Sequence, residues 1–538
     1  MSESRELLDI ARDALACGAL DCGGPLSPGE LALAKATGPP ARGAAARLRT
    51  AIRDGGDPLG ERLCEARSRT ARRSLGAFYT GPAIVDAMID WALERRPDRF
   101  VDAGCGSGRF AVVAARRNPA LQIVAIDVDP FATLIARAAF AAIDAKNVRV
   151  IADDYLHAEI GAIAGRTAFV GNPPYVRHHQ LSAAAKARAS ALALRIGSRV
   201  SGLAGLHVLF YLATLALHGK RGDVGSFVTN AEWLDVGYGS FLRRAFAGEL
   251  GGRSLVAFDP LCVPFAGAMT TAAIATFRIG SAARFVRLGR VTENTALSLE
   301  RGRRYERSSL ARAPRWSALV DGRQELQPQA QIGSLFRVSR GQVTGANDFF
   351  VMSKTDALER GIAKHCVPLI ASAKEVLESS GVVRDSPERL VGLEIGADAD
   401  IFADDALARY LRAGEAAKIH LGYVASRRRK WYALAFPRPP VVGTYMARRA
   451  PGFACNPDRL GLLNVVHGLH PRRPLEQRTL ASIVASLNAS RASFVGRGRT
   501  YHGGLEKFEP REMEALPLRL AEALSTTCDE LSQHGCPR

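Results

Sequence analysis

The chain has 538 residues, 47% hydrophobic and 23% charged, with a formal net charge of +19 and a pI near 9.9. This length exceeds one ordinary core and implies two or three domains. The composition excludes a disordered or membrane protein, and the charge calls for a polyanionic partner, nucleic acid first. The nine cysteines form no CxxC pair, which points to reduced thiols in the cytoplasm rather than a zinc site or a disulfide framework. No secretory signal is visible, and the most apolar run, Leu203 to Leu217, is too short to cross a bilayer and reads as a buried helix.

Residues 1–70 are rich in Ala, Arg and Leu with helical spacing, interrupted at Gly23-Gly24-Pro25 and Gly38-Pro39-Pro40, and carry no recognisable chemistry. They read as a helical extension. An α/β catalytic domain is expected over 71–290. Its first element is an amphipathic helix over 83–94, with Ile84, Ala87, Met88 and Trp91 on one face, Thr80 as N-cap and Pro82 in the first turn. Next, an apolar strand at Phe100 ends in Asp102 and runs through Gly104-Cys105-Gly106-Ser107-Gly108 into a helix over 110–117. A second strand, 122–126, ends in Asp127 and leads to a helix over 130–143. A third, 148–152, ends in Asp153-Asp154-Tyr155, and a fourth, 167–170, ends in Gly171-Asn172-Pro173-Pro174-Tyr175. This βαβαβ order predicts a doubly wound, mostly parallel sheet with ligands at the carboxyl ends of its strands.

Each strand end carries a ligand-type group. Glycines let a ligand approach the backbone at a helix N-terminus, and Asp127 follows Gly104 at the distance expected of a ribose-binding carboxylate. The two prolines after Asn172 remove backbone donors and stiffen the turn, which presents an amide, bare carbonyls and the ring of Tyr175. These are parts suited to activating a planar NH2 group.

The order of motifs resembles the class I S-adenosylmethionine-dependent methyltransferases, and within them the γ-class N6-adenine DNA methyltransferases of the TaqI type. The resemblance implies that Asp102, Gly104, Gly106 and Gly108 form the cofactor loop, that Asp127 contacts the ribose and that Asp154 with Tyr155 contacts the adenine of S-adenosylmethionine. Thr80 falls on the motif that closes over the methionine end, although Gly81 stands where the family usually has proline. Asn172, Pro173, Pro174 and Tyr175 fall on the catalytic NPPY motif, and Phe265, in Pro264-Phe265-Ala-Gly, on a segment that helps hold the target base. The segments from Gly341 to Phe350, Asn456 to Pro471, Leu487-Asn488 and Tyr501 to Lys507 resemble parts of the family's target-recognition domain, expected here as a mixed α+β domain over 331–538 after a linker over 291–330.

The implied activity is methylation of the adenine N6 in double-stranded DNA. The base would be flipped out and stacked on Tyr175 and Phe265, and the enzyme would be the modification component of a restriction–modification or related defence system whose endonuclease is encoded separately. Arg427-Arg428-Arg429-Lys430, followed by Trp431 and Tyr432, and Tyr501 are the expected DNA contacts; no metal and no membrane partner are expected. A glutamine-methylating enzyme acting on a protein would use the same turn, as would an RNA base methyltransferase. A non-catalytic DNA-binding module on this fold is a further alternative. The long basic segment after Phe265 favours DNA.

Overall fold

Alternation along the strands sets up two apolar faces, and helices cover both. The computed structural model describes residues 2–37, 44–68, 79–259, 271–292, 297–313, 315–322, 330–447, 450–501 and 505–518, and divides into two units, Met1–Glu325 and Leu326–Arg538.

The first unit is built on a nine-stranded sheet in the order β3-β2-β1-β4-β5-β7-β6-β8-β9. The strands are β1 Arg99–Ala103, β2 Gln122–Asp127, β3 Val148–Ala152, β4 Thr167–Gly171, β5 Val224–Asn230, β6 Gly252–Phe258, β7 Ala272–Arg278, β8 Phe285–Val291 and β9 Arg303–Glu306. The run from β3 to β5 is parallel, and β7 is inserted antiparallel between β5 and β6. Phe100, Ile123, Ala125, Ala168 and Val170 point to one face, where they pack with helices α1 Ser2–Ala16, α4 Pro58–Ala66, α5 Pro82–Leu93, α6 Arg109–Arg117 and α7 Pro130–Ala142. Val101, Val124, Ile126 and Phe169 point to the other, beneath α8 Ala183–Arg195, α9 Leu206–Ala213 and α10 Ser240–Ala247. This is the doubly wound sheet that the strand pattern implies.

The remaining N-terminal helices, α2 Pro28–Ala36 and α3 Ala44–Arg53, join α1 and α4 against α7. Their anchor is Arg137 of α7, fully buried with Glu30 of α2. The Arg137 guanidinium donates to Glu30 Oε1 at 2.7 Å and to the carbonyls of Cys22, Gly24, Pro25 and Val150 at 2.7–3.1 Å. Gly23 also accepts from the amide of Val150, which covers part of the open edge of β3. The extension is therefore part of the sheet's own core.

Three expectations change. The apolar run at 203–217 is not one α-helix: α9 gives way to a π-helical turn, Thr214–His218, where the Thr214 hydroxyl donates back to the Phe210 carbonyl at 2.8 Å. Residue 80 is not a helix cap; Gly81 takes that place, without a side-chain bond. The stretch expected as a linker over 291–330 instead holds β9, paired with β8, and the short helices Arg307–Arg312 and Ser317–Val320, because Trp316 is buried against Trp233 and Phe246 and Leu310 is buried in the same cluster.

The second unit is mixed α+β. One four-stranded sheet orders Phe336–Arg340, Val466–Pro471, Val441–Thr444 and Phe453–Cys455 as antiparallel neighbours, and a second joins Val351–Met352, Val391–Leu393, Cys366–Ile370 and Gly461–Leu462. Helix Gln477–Ala489 packs on the first sheet and helix Asp405–Ala416 beside the second. Asn488 replaces a missing strand partner: its amide accepts from Phe453 N at 3.0 Å and donates to Phe453 O at 2.8 Å.

Removing one member of a buried ion pair strands the other charge. Glu30→Ala is expected to destabilise the first unit by about 3–5 kcal/mol, measured by urea unfolding; a loss below about 1 kcal/mol would show that the carbonyl cage alone satisfies Arg137.

Candidate active site

The carboxyl ends of β1 and β4 lie side by side, with Asp102 opposite Val170. The glycine-rich turn leaves β1 there and the Asn-Pro-Pro-Tyr turn leaves β4. A Cβ on Gly171 would stand 2.7 Å from the Ala103 carbonyl oxygen and 3.3 Å from Asp102 Oδ1, so only glycine brings the two ends this close. Gly104, at φ +72°, faces Pro174 and the Phe210 ring, 3.5 and 3.4 Å from where its Cβ would be. The two turns and α9 meet at this point.

Asp102 is fully buried. Its Oδ2 accepts from Ala111 N at 3.1 Å, in the first turn of α6, which serves that helix as a cap because Gly108 has no side chain to offer. Its Oδ1 is buried with no partner among the described residues. Burial pushes the Asp102 carboxyl up to about 8, and nearby Asp127 adds to the rise. Asp127 accepts from Gly106 N at 2.8 Å and Asp129 N at 3.0 Å, yet burial still raises it to about 6. Gly106 has φ +55° and only open space where a Cβ would project.

S-adenosylmethionine fits such a cradle. It would meet a cavity side free of Cβ atoms at Gly106, an orphaned carboxylate oxygen at Asp102, and a second carboxylate at Asp127 with acceptor capacity beyond its two amides. Asp154 sits at the end of β3, partly exposed, with Oδ1 accepting from Leu156 N at 2.9 Å and Oδ2 3.6 Å from His157. Tyr155 departs from its expected role as a cofactor contact. Its ring is 2% exposed and stacks on Phe210 at 4.8 Å, and its hydroxyl is bonded to Thr214 at 2.9 Å, so it belongs to the core under the site.

On the other side of the crevice Asn172 Nδ2 donates to Thr80 Oγ1 at 3.1 Å. This bond, over 92 positions, commits the NH2 end of the amide and joins the turn to the residue preceding α5. Tyr175 has a half-buried ring and a buried hydroxyl, whose desolvation raises the phenol well above its usual value. His207 stands edge-on to it, ring centroids 6.4 Å apart. Phe210 and His207 were not singled out from the sequence, since an aromatic inside an apolar helix carries no local signal of function. The expected stacking residue Phe265 lies outside the described residues.

In the second unit the basic run separates into two kinds of residue. Arg427, Arg429 and Lys430 are exposed, Arg427 lying 3.6 Å over the Tyr423 ring and Arg429 3.1 Å from exposed Asp398. Arg428 departs from the expectation of a DNA contact. Its guanidinium donates to the carbonyls of Val343, Thr344 and Trp431 at 2.6–3.1 Å, so it is tied up holding the loop that follows Gly341. Tyr501 ends the short strand Arg499–Tyr501.

A carboxyl raised by burial makes stability depend on pH. Between about 4 and 8 the unfolded chain has released the Asp102 proton while the folded chain keeps it, so stability falls as pH rises through that window and the loss is complete above 8. Asp102→Asn is therefore expected to gain on the wild type by about 3–5 kcal/mol between pH 5 and pH 9 in urea unfolding of the cofactor-free protein. Parallel pH profiles for the two proteins would show that Asp102 is not the titrating group.

Residues 318–535 match the family described as the C-terminal domain of the Type II methyltransferase M.Eco57I, and residues 87–195 match the methyltransferase small domain. The Type II methyltransferase M.XamI of Xanthomonas campestris pv. amaranthicola is 39% identical over 477 residues, 87% of this chain and 88% of that protein. The release factor glutamine methyltransferase of Escherichia coli (strain K12) is 30% identical over 96 residues, 17% of this chain and 33% of that protein. Among solved structures, the Type IIL restriction-modification enzyme MmeI in complex with DNA shares the fold with TM-score 0.55 at 13% identity, over 77% of this chain and 65% of that one, which it spans only in part. The sheet is that of a class I methyltransferase followed by a C-terminal domain. With identity to M.XamI sustained over most of both sequences, the chain belongs to the Type II methyltransferase family and has S-adenosylmethionine as its cofactor.

Proposed function

We propose that this Type II methyltransferase methylates the N6 amino group of adenine in double-stranded DNA, as the modification component of a restriction–modification system whose endonuclease is a separate chain. The observation that carries the reading is the Asn172–Tyr175 turn, set against the glycine-rich loop and tied to Thr80. The residues Asn-Pro-Pro-Tyr at this strand end are those of the γ-class adenine enzymes.

Bound S-adenosylmethionine supplies a methyl group on a sulfonium, which is open to in-line displacement. The protein's part is to prepare the amine. An adenine amino nitrogen has its lone pair delocalised into the ring. With its NH2 end committed to Thr80, Asn172 offers the carbonyl end of its amide to one N–H, and the Pro173 carbonyl takes the other. Two acceptors favour a tetrahedral nitrogen whose lone pair is free to attack, and the prolines keep the acceptors in place beforehand. An amino group within a duplex cannot enter such a turn, so the base is rotated out at a cost of a few kcal/mol. The partly exposed Tyr175 ring is the stacking platform, worth about 1–3 kcal/mol. Arg427, Arg429 and Lys430 supply phosphate contacts; the exposed Arg429–Asp398 pair contributes little and exchanges readily for a phosphate.

The rival substrate is a protein glutamine, whose amide is an equally planar NH2. The relative named for that activity aligns with this chain over 96 residues, whereas M.XamI aligns over 477. This difference, with the net charge of +19, favours DNA.

Sequencing of DNA from a methylation-free host expressing the chain is expected to show methyladenine in one short motif. A soluble, cofactor-binding protein that leaves host DNA unmodified would refute the proposal. Asn172→Ala is expected to abolish the mark while cofactor affinity, measured by calorimetry, stays within about threefold. Gly171→Ala forces the turn away from Ala103 O by a fraction of an ångström or more and is expected to lower single-turnover methylation about 100-fold in a folded protein; near-normal turnover would show that the two strand ends need no such close register.

A further inference from the structure

The N-terminal helices reach the cofactor loop. Asp57 is the N-cap of α4, and its Oδ1 accepts from Gly60 N at 3.0 Å. A cap needs only that oxygen. The second, Oδ2, accepts the Ser107 hydroxyl proton at an Oγ–Oδ2 distance of 2.5 Å, from 50 positions away in the chain. Ser107 lies between Gly106 at φ +55° and Gly108 at φ +84°, two residues whose backbone no Cβ restrains. Its hydroxyl is thus a polar side-chain handle on the most pliable part of the loop. Gly60 permits the contact: a Cβ there would stand 2.4–2.6 Å from both Asp57 oxygens and from Ser107 Oγ. The Arg109 guanidinium, 4.0 Å from Asp57 Oδ2, partly balances the carboxylate, and the two side chains are only 16% and 13% exposed.

Two further ties run the same way. Arg67, the C-cap of α4, pairs with Asp129, each 11% exposed, and the Asp129 amide donates to Asp127 Oδ1 at 3.0 Å. Glu61 accepts from the Tyr79 hydroxyl at 2.9 Å, next to Thr80, while Arg109 lies 3.7 Å over the Tyr79 ring. One helix therefore touches three of the segments that carry candidate cofactor groups.

We propose that Asp57 is a positioning residue for the cofactor: through Ser107 it holds the glycine-rich loop in its binding form, making the N-terminal helices an outer wall of the S-adenosylmethionine site. The proposal rests on the reading that residues 104–108 and Asp127 are the cofactor cradle.

Asp57→Ser separates capping from positioning, because serine caps a helix as well as aspartate does but has neither the second oxygen nor the reach to Ser107. With S-adenosylmethionine as the titrant in the full-length protein, Asp57→Ser and Ser107→Ala are each expected to raise Kd about tenfold. The double variant should be no weaker than Ser107→Ala alone, since both remove one bond. KM for the cofactor should rise about as much as Kd, kcat at saturating cofactor should stay unchanged, and the melting temperature of Asp57→Ser should stay within a few degrees of the wild type. Effects of the two changes that multiply in the double variant, or a Kd unmoved by Asp57→Ser, overturn the proposal. Asp127→Asn separates the two layers. If it weakens binding while Asp57→Ser does not, the positioning role alone fails; if none of the variants alters Kd, the cradle itself has been misassigned.

Discussion

The whole site depends on how closely two parallel strand ends can approach. Strands β1 and β4 are neighbours, so whatever leaves their carboxyl ends must share one small volume. Two glycines make that possible, Gly171 by bringing no side chain against the Ala103 carbonyl and Gly104 by turning at φ +72° under Pro174 and Phe210. The glycine-rich loop and the Asn-Pro-Pro-Tyr turn become adjacent for steric reasons before any polar contact is counted. Thr80, ahead of α5, then adds a side-chain bond to Asn172, which orients the amide.

The electrostatics of the cradle follow from the same crowding. Asp102 and Asp127 are held in a region where burial raises both carboxyls, to about 8 and about 6, and the positive charge of Arg67 opposes the rise at Asp127. Such an arrangement costs stability in the empty protein and favours a ligand that carries positive charge and hydroxyl donors. A sulfonium nucleoside has both. The acidic cradle stands in contrast to the basic character of the chain as a whole, which suits a protein whose cofactor and macromolecular substrate have opposite charge.

Packing on both faces of the first unit supports this crevice. The buried Arg137 cage fastens the N-terminal helices to α7, and from there Asp57 and Arg67 touch the loops after β1 and β2. On the opposite face the aromatic cluster of Tyr211, Phe227, Trp233, Phe246, Phe277 and Trp316 fills the space beneath the sheet. Trp316 belongs to the stretch that resembled a linker, and its burial explains why β9 and the short helices after it fold back onto the sheet.

Local physics was enough for the elements and their order. Period-two and helical spacing, glycine clusters and prolines located β1 to β4 and the helices α5 to α7 within a residue or two, and with them the strand-end positions of Asp102, Asp127, Asp154 and Asn172. The order of motifs pointed to the DNA methyltransferases, because such turns depend on residue types at fixed spacing. Contacts between distant segments were not legible in the same way. Nothing near Tyr155 signals that its hydroxyl meets Thr214 and its ring meets Phe210, which turns an expected cofactor contact into core. The run of four basic residues looks uniform in sequence, yet packing draws Arg428 inward to three carbonyls and leaves its neighbours in water. Asp57 reads only as a helix cap until the fold brings Ser107 to its second oxygen. The sequence by itself determined which polar residues would stand at the strand ends, since that follows from short-range pattern; the tertiary structure decided which side chains meet there, since that depends on partners 50 to 92 positions away.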